Sequence, residues 1–391
     1  MIRVIGLGKE FEISSLPDLL SILDKLKYKS FLYRGEPKKF DKITASGFRY
    51  DLSGNMMGDT RRLDYLNQLL SQYYREIGYK LNNFERDNFV AYAQHHGLPT
   101  NLIDVTESIT TALYFATCDY PDDTGFIYIF DLSKMIRFTT RELGGKEIYS
   151  LFDTLLGINK TTSFSQTNIN LSEKIYDELN KVYSKNKDLF FEHATSVINT
   201  ICGGQYREDT RDICVFEEIK ANLLGINDKT SFTWFKDKVI FPIYKNNTNY
   251  ISRYIISNAE TVYKELSIPF KFEERSYNFG EDVVWLIALY KASAFLFVGN
   301  NINLFPKFPH ILYYPDIIFD RMKSQRGMFI YQNYFNTFSL QKDSKEHIEY
   351  DIIIKISNKK RILNELDMLN INKSTLFPDA DNIANYLKDN F

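Results

Sequence analysis

The chain has 391 residues and a formal net charge of −2, with 48 Lys and Arg against 50 Asp and Glu. That length exceeds what one compact core ordinarily holds, and the charge balance excludes a chain-wide electrostatic grip on nucleic acid. Hydrophobic residues at 44% and charged residues at 25% describe a folded protein rather than a disordered one.

Residues 1–50 read as an opening strand, a short helix over 16–26 and a strand through Phe31-Leu-Tyr. Over 59–82, Leu63, Leu66, Leu69, Leu70, Tyr73 and Ile77 form one helical face. A second helix is expected over 84–96, with Phe89, Tyr92, Ala93 and His96 on its apolar stripe. Gly97 then caps it and Pro99 stops it. Thr106 or Ser108 can cap the next helix, which buries Ile109, Ala112, Leu113 and Ala116. Gly125-Phe-Ile-Tyr-Ile-Phe reads as a fully buried strand.

From 132 to 305 the pattern turns polar, lysine- and asparagine-rich and mostly helical, with one strand at Lys238-Val-Ile-Phe. Within it, 283–298 is apolar but shorter than a bilayer span and is interrupted by Lys291, so a buried helix is expected and no membrane partner. Strands return at Met328-Phe-Ile-Tyr and Asp351-Ile-Ile-Ile-Lys-Ile. Helices over 360–369 (Ile362, Leu363, Leu366) and 381–387 close the chain. The fold expected is α+β. Both ends, 1–131 and 306–391, build a mixed or mostly antiparallel sheet with helices packed on it, and 132–305 is a helical insertion.

Cys118, Cys202 and Cys214 are widely spaced and make neither a disulfide framework nor a zinc knuckle. Together with a start, Met-Ile-Arg-Val-Ile-Gly, that lacks a cleavable apolar stretch, they point to a reducing, cytoplasmic setting with Cys118 an inert core thiol. Aromatic residues reach 15%, with 27 Tyr and 31 Phe, which serves either an aromatic core or base stacking. Gly6-Leu-Gly8 and Gly203-Gly204 are too short for phosphate loops.

The chemistry concentrates in two strings: Tyr33-Arg34-Gly35-Glu36, and Gln94-His95-His96-Gly97-Leu98-Pro99-Thr100-Asn101-Leu102-Ile103-Asp104-Val105-Thr106. Arg34 suits bidentate binding of phosphate, or a buried pair with Asp104; Gly35 lets a ligand approach the backbone. His95 and His96 point about 100° apart on a helix, so they do not share a metal as an i, i+4 pair does. His96 falls on the apolar stripe as a core histidine. Gln94 and His95 lie off it as candidates for ligand contact or proton transfer. Thr100 and Thr106 flank the turn. Lys359-Lys360-Arg361 offers local phosphate contacts or a solvated helix face.

These residues resemble the FRG domain, a bacterial family named for an aromatic-Arg-Gly signature. Its second block usually reads Gln-His-Tyr-Gly-Leu-Pro-Thr-Arg-Leu-Leu-Asp-Trp-Thr before a helix ending Ala-Leu-Tyr-Phe-Ala, an ending that 112–116 reproduce. Here Asn101 replaces the usual Arg and Val105 the usual Trp. Arg321, Gln325, Gly327 and Phe329, then Leu376-Phe377-Pro378-Asp379, resemble the family's C-terminal pattern. The arginine strand and the threonine strand leading into an Ala- and Phe-rich helix are also similar to ADP-ribosyltransferases of the Arg-Ser-Glu type. That similarity implies NAD as substrate, with Arg34 on its phosphate and Thr106 near the ribose; the late block offers Gln325 where that type has a glutamate.

The expected ligand is a phosphate-bearing nucleotide bound by Arg34, Gly35, Gln94, Thr100, Asp104 and Arg321, with His95, Thr106 and Gln325 at the reacting end and no metal. The activity implied is ADP-ribosyl transfer or NAD hydrolysis by a toxin or phage-defence effector, with a protein or nucleic-acid acceptor. The alternatives are a non-catalytic nucleic-acid or protein recognition module, and a metal-dependent nuclease using His95 and Asp104.

Overall fold

The structure is a computed structural model. It describes residues 3–5, 8–26, 30–40, 42–49, 59–145, 148, 167–202, 250–267, 279–299, 305–316, 319–334 and 345–390. The strand expected at 238–241, Gly203-Gly204 and Cys214 lie outside the described residues.

Among those residues the strands are β1 (Arg3–Ile5), β2 (Gly8–Ile13), β3 (Phe31–Glu36), β4 (Leu102–Thr106), β5 (Gly125–Asp131), β6 (Ile136–Thr139), β7 (Ile311–Tyr314), β8 (Gly327–Tyr331) and β9 (Ile352–Ile356). They form one sheet in the order β1-β2-β9-β5-β3-β4-β8-β7-β6. All neighbours are antiparallel except β2–β9 and β6–β7. The α+β class and the sheet assembled from both ends of the chain are as expected. Strand β7 carries no signal that was read from the sequence. β6, which falls in the polar stretch after 132, is the sheet's edge.

Strand β5 shows why the central strands read as unbroken apolar runs. Phe126, Tyr128 and Phe130 face one core, while Ile127 and Ile129 face the other. A sheet covered on both faces needs apolar side chains at every position, not at alternate ones. Each fully buried Ile or Leu there contributes about 1.5–3 kcal/mol relative to exposure.

One face carries α1 (Leu16–Lys25), α5 (Ile109–Thr117) and α12 (Lys359–Met368). Ser15 caps α1 by accepting from the Asp18 amide, and Leu19 and Ile22 are its buried stripe. The other face carries α2 (Asp59–Ile77), with Leu66 and Leu70 buried, and α4 (Phe89–His95). Farther along the chain, α7 (Thr167–Lys185), α8 (Lys187–Cys202), α9 (Tyr250–Glu265) and α10 (Phe279–Gly299) join that same core. Helix α10 is buried on every side from Val283 to Ala292, Lys291 included, which answers its apolar run. No described helix is long and apolar enough to cross a membrane. Tyr183, Tyr290, Phe89, Phe130, Phe138 and Phe190 are among the largest fully buried side chains, so much of the aromatic content is core. The short helices are α3 (Asn83–Asp87), α6 (Thr140–Leu143), α11 (Asp320–Ser324) and α13 (Lys373–Leu376); α14 (Ala380–Asn390) ends the fold.

Four expectations change. The helix expected over 84–96 is two helices, α3 and α4, because buried Asn88 turns its side chain back to the Phe84 carbonyl and accepts from Thr140 and Tyr313 hydroxyls. His96 is consequently the cap residue of α4 and is exposed, not core. Lys359 is buried rather than poised for phosphate: its ammonium donates to the carbonyls of Pro37, Asp119 and Tyr120 and so clamps the end of β3 to the loop after α5. Cys118 is half-buried, and burial pushes its thiol up to about 12, which leaves it protonated.

Candidate functional site

Strands β3 and β4 touch at a single register pair, Tyr33 opposite Thr106. Continuing the antiparallel register would set Gly35 against Asp104, but the strands have parted by then. Arg34 fills the opening: its Nη1 donates to the Asp104 carbonyl at 2.9 Å, taking the place of a ladder bond. Its Nε donates to Glu36 Oε1 at 2.9 Å, with the two side chains 13% and 5% exposed. The partner of Arg34 is thus Glu36 for charge and Asp104 only through its backbone. Residues 34 and 36 share a strand face by the period of two, and that spacing was the available signal for Glu36. Glu36 Oε2 is buried without a hydrogen-bond partner. Burial, reinforced by the Glu36 charge, pushes the Tyr128 hydroxyl beside it upward.

At this parting lies a cavity of about 310 Å³. Arg34 and Gly35 line it from β3, Asp104 and Thr106 from β4, Gln94 and His95 from the end of α4, and Arg321 and Gln325 from α11 and its exit. Of the candidate residues only Thr100 stays behind the wall. Phe115 and Phe319, which no motif in the sequence marks as site residues, line it too.

The structure gives several of these residues definite jobs. A Cβ on Gly35 would sit 1.8 Å from the Ala112 carbonyl oxygen, so glycine is required by the packing of α5. Gly97 takes φ +89 at the turn, where an L side chain is strained. The Thr106 hydroxyl donates to the Gln325 carbonyl at 2.7 Å and accepts from the Ser108 amide at 2.9 Å. Ser108, not Thr106, caps α5. The Gln325 amide donates to the Leu376 carbonyl at 2.9 Å. Asn101 is buried with its amide near the Gln332 carbonyl, and Val105 is buried at the back of the cavity.

A relay leads to Asp104. The Leu102 amide donates to the Thr100 hydroxyl at 3.1 Å, the Thr100 hydroxyl donates to Gln94 Oε1, and Gln94 Nε2 donates to Asp104 Oδ1 at 3.0 Å.

Arg321 differs from Arg34. Its guanidinium lies over the Phe377 ring, 4.5 Å from the centroid, and makes no hydrogen bond or ion pair with any described residue. Burial holds its pKa below the usual arginine value, against the opposing charges of Asp104 and Asp379. His95 stacks on Phe319 with centroids 3.7 Å apart. Burial lowers its pKa to about 4, with the charges of His96 and Arg321 adding to the effect, so the ring is neutral near pH 7. No group of three or more His, Cys, Asp or Glu that could hold a metal occurs among the described residues.

Residues 29–124 match the family model of the FRG domain, and that span brings Arg34, Gln94, Asp104 and Thr106 to the cavity. The chain carries an FRG domain. Comparison with curated proteins and with solved structures gives no match. The FRG match ends before α11, so Arg321 and Gln325 complete the cavity from outside it.

Proposed function

We propose that the cleft of the FRG domain binds a phosphate-bearing nucleotide, NAD foremost, and that the protein transfers or hydrolyses ADP-ribose as a toxin or phage-defence effector. Arg321 carries the reading. A half-buried guanidinium with no hydrogen-bonded counter-ion among the described residues, only the more distant charges of Asp104 and Asp379, is incompletely compensated, and a bound anion offsets that cost. Arg34 keeps Nη2 for the same ligand, since only its Nε and Nη1 are engaged by described residues. The rings of His95 and Phe319, stacked on each other, add aromatic surface to the lining. Placement rather than proton transfer would dominate the chemistry, because a histidine held near 4 is almost wholly unprotonated at neutral pH and is a weak base.

A second reading, a recognition module without turnover, is favoured by one observation. The Thr106 hydroxyl and the Gln325 amide, both assigned to the reacting end, are spent on backbone groups.

The test is NAD binding and nicotinamide release by the purified chain beside Arg321→Met. Release by the wild type alone supports the enzyme. Binding without release, lost in the variant, supports the recognition module. A folded wild type that neither binds nor consumes NAD overturns the NAD assignment.

A further inference from the structure

We propose that this cleft recognises a sugar phosphate, with the Asp104 carboxylate accepting the sugar hydroxyls and the Arg321 guanidinium holding the phosphate. The inference rests on the nucleotide reading of the same cleft and names the part of the ligand that it grips.

The charges leave little choice. Arg34, Asp104 and Arg321 are the arginines and carboxylate that line the cavity. Arg34 is paired with Glu36, so of the lining charges the Arg321 guanidinium and the Asp104 carboxylate are left facing a shared space, with Asp379 acting on Arg321 and Arg49 acting on Asp104 from outside the lining. A carboxylate accepts hydrogen bonds and repels phosphate; a guanidinium does the reverse. A ligand that satisfies both has hydroxyl donors at one end and an anion at the other. Carboxylates serve sugar hydroxyls in this way elsewhere, as in the acidic residue on the ribose of dinucleotide sites. The volume, about 310 Å³, lies at the small end of the roughly 300–1,000 Å³ typical of ligand pockets, in keeping with one sugar phosphate.

Asp104 is also aimed. The Thr100 hydroxyl has one proton, and because it already accepts from the Leu102 amide, that proton goes to Gln94 Oε1. The Gln94 amide is thereby oriented, its NH₂ toward Asp104 Oδ1 and its oxygen away. Thr100 cannot turn, because its amide donates to Ser46 Oγ at 3.1 Å and its carbonyl accepts from the Gly47 amide at 2.7 Å. Arg34 holds the Asp104 backbone from the opposite side. Oδ2 of Asp104 accepts no hydrogen bond from a described residue, so its lone pairs remain for a ligand. Thr100 and Gln94 are positioning residues, acting on the ligand through Asp104.

The experiment is calorimetric titration of the full chain with ribose 5-phosphate, ribose and inorganic phosphate. Ribose 5-phosphate should bind at least about tenfold more tightly than phosphate. Asp104→Asn should erase that preference and leave phosphate affinity in place, whereas Arg321→Met should weaken both phosphate-bearing probes. Thr100→Val should reduce the preference, and Thr100→Ser should restore it. A general folding defect would instead lower both affinities together, and thermal unfolding of each variant reports it. Equal affinity for the two probes in the wild type, or an unchanged preference in Asp104→Asn, overturns the proposal even if NAD binds. A preference for ribose 5-phosphate that depends on Asp104, in a protein that ignores NAD, supports it while the NAD assignment fails. If no phosphate compound binds, both fall.

Discussion

Two cavities among the described residues invite comparison, and the larger of the two is the less convincing site. It measures about 470 Å³ and lies between α8, the loop at 305–310 and the segment 346–351. Its cations are matched: Lys307 Nζ sits 2.7 Å from Glu192 and 2.9 Å from Glu349, Lys134 pairs with Asp351, and His310 Nδ1 is 2.5 Å from Glu346. Glu346 in turn accepts from the Asn333 amide and side chain. In the smaller FRG cleft, Arg34 is matched in the same fashion, but Arg321 is not. Volume therefore does not distinguish a structural cavity from a binding cavity here. A charge without a directly paired counter-ion does, because the distant charges of Asp104 and Asp379 compensate a half-buried guanidinium less than a hydrogen-bonded anion would.

Stability measurements can break that distinction. Glu36→Ala should cost about 3–5 kcal/mol, the usual effect of leaving a buried charge alone. Gly35→Ala should cost on the order of 3 kcal/mol, since the new methyl overlaps a helix carbonyl rather than a side chain that can move aside. Arg321→Met should stay within about 0.5 kcal/mol of wild type or gain stability. Urea unfolding of the three variants measures this directly. An Arg321→Met loss as large as that of Glu36→Ala would mean that Arg321 has a structural partner, and the contrast between the cavities would collapse.

Ligand affinity sharpens the same contrast from the other side. Arg321→Met should weaken binding of a phosphate-bearing ligand by about 10–100-fold, equivalent to about 1.4–2.8 kcal/mol. Lys307→Met should leave that affinity unchanged and cost at most about 1 kcal/mol of stability, because its ion pairs are partly exposed and screened. Weakened binding in Lys307→Met, with Arg321→Met unaffected, would move the site to the larger cavity.

The sequence told the two kinds of arginine residue apart only in part. Gln94, His95 and Asp104 were legible because the string around Gly97 and Pro99 crowds polar residues between apolar elements, and Arg34 because it stands beside Gly35 at the end of an apolar strand. The apolar runs of β5 and α10 were legible because burial on all sides removes periodicity altogether. What sequence could not supply was pairing. Glu36 stands two residues from Arg34 on the same strand face, which makes it an available partner, yet the string does not choose between it and Asp104; that choice follows from β3 and β4 separating after one register pair. Lys359 looked like part of a basic run, and only the meeting of α12 with the loop after α5 makes it a carbonyl clamp. The break at Asn88 escaped for the same reason, since its partners Thr140 and Tyr313 are far away in the chain.

His95 of the smaller cavity and His310 of the larger carry the smallest expected effect. Burial pushes the His310 pKa down, but the hydrogen bond and charge of Glu346 more than offset it, so the value lies above the ordinary 6.5. Its stabilising contribution is complete below about 6.5 and is lost as pH rises through the folded value. His95 runs the other way: its pKa is lowered to about 4, so its contribution is complete above about 6.5 and is lost as pH falls toward 4. Solvent screening around the partly exposed His95 ring keeps its share well below the one-proton limit of about 1.4 kcal/mol per pH unit. An NMR titration of the imidazoles should thus place His95 near 4 in the free protein and His310 above 6.5. Saturating ribose 5-phosphate should move His95 upward, because an anion on Arg321 cancels one of the cationic charges that depress it, and should leave His310 where it was. If His310 moves and His95 does not, the anion has gone to the cavity whose charges were already paired, and unpaired charge loses its standing as the mark of the site.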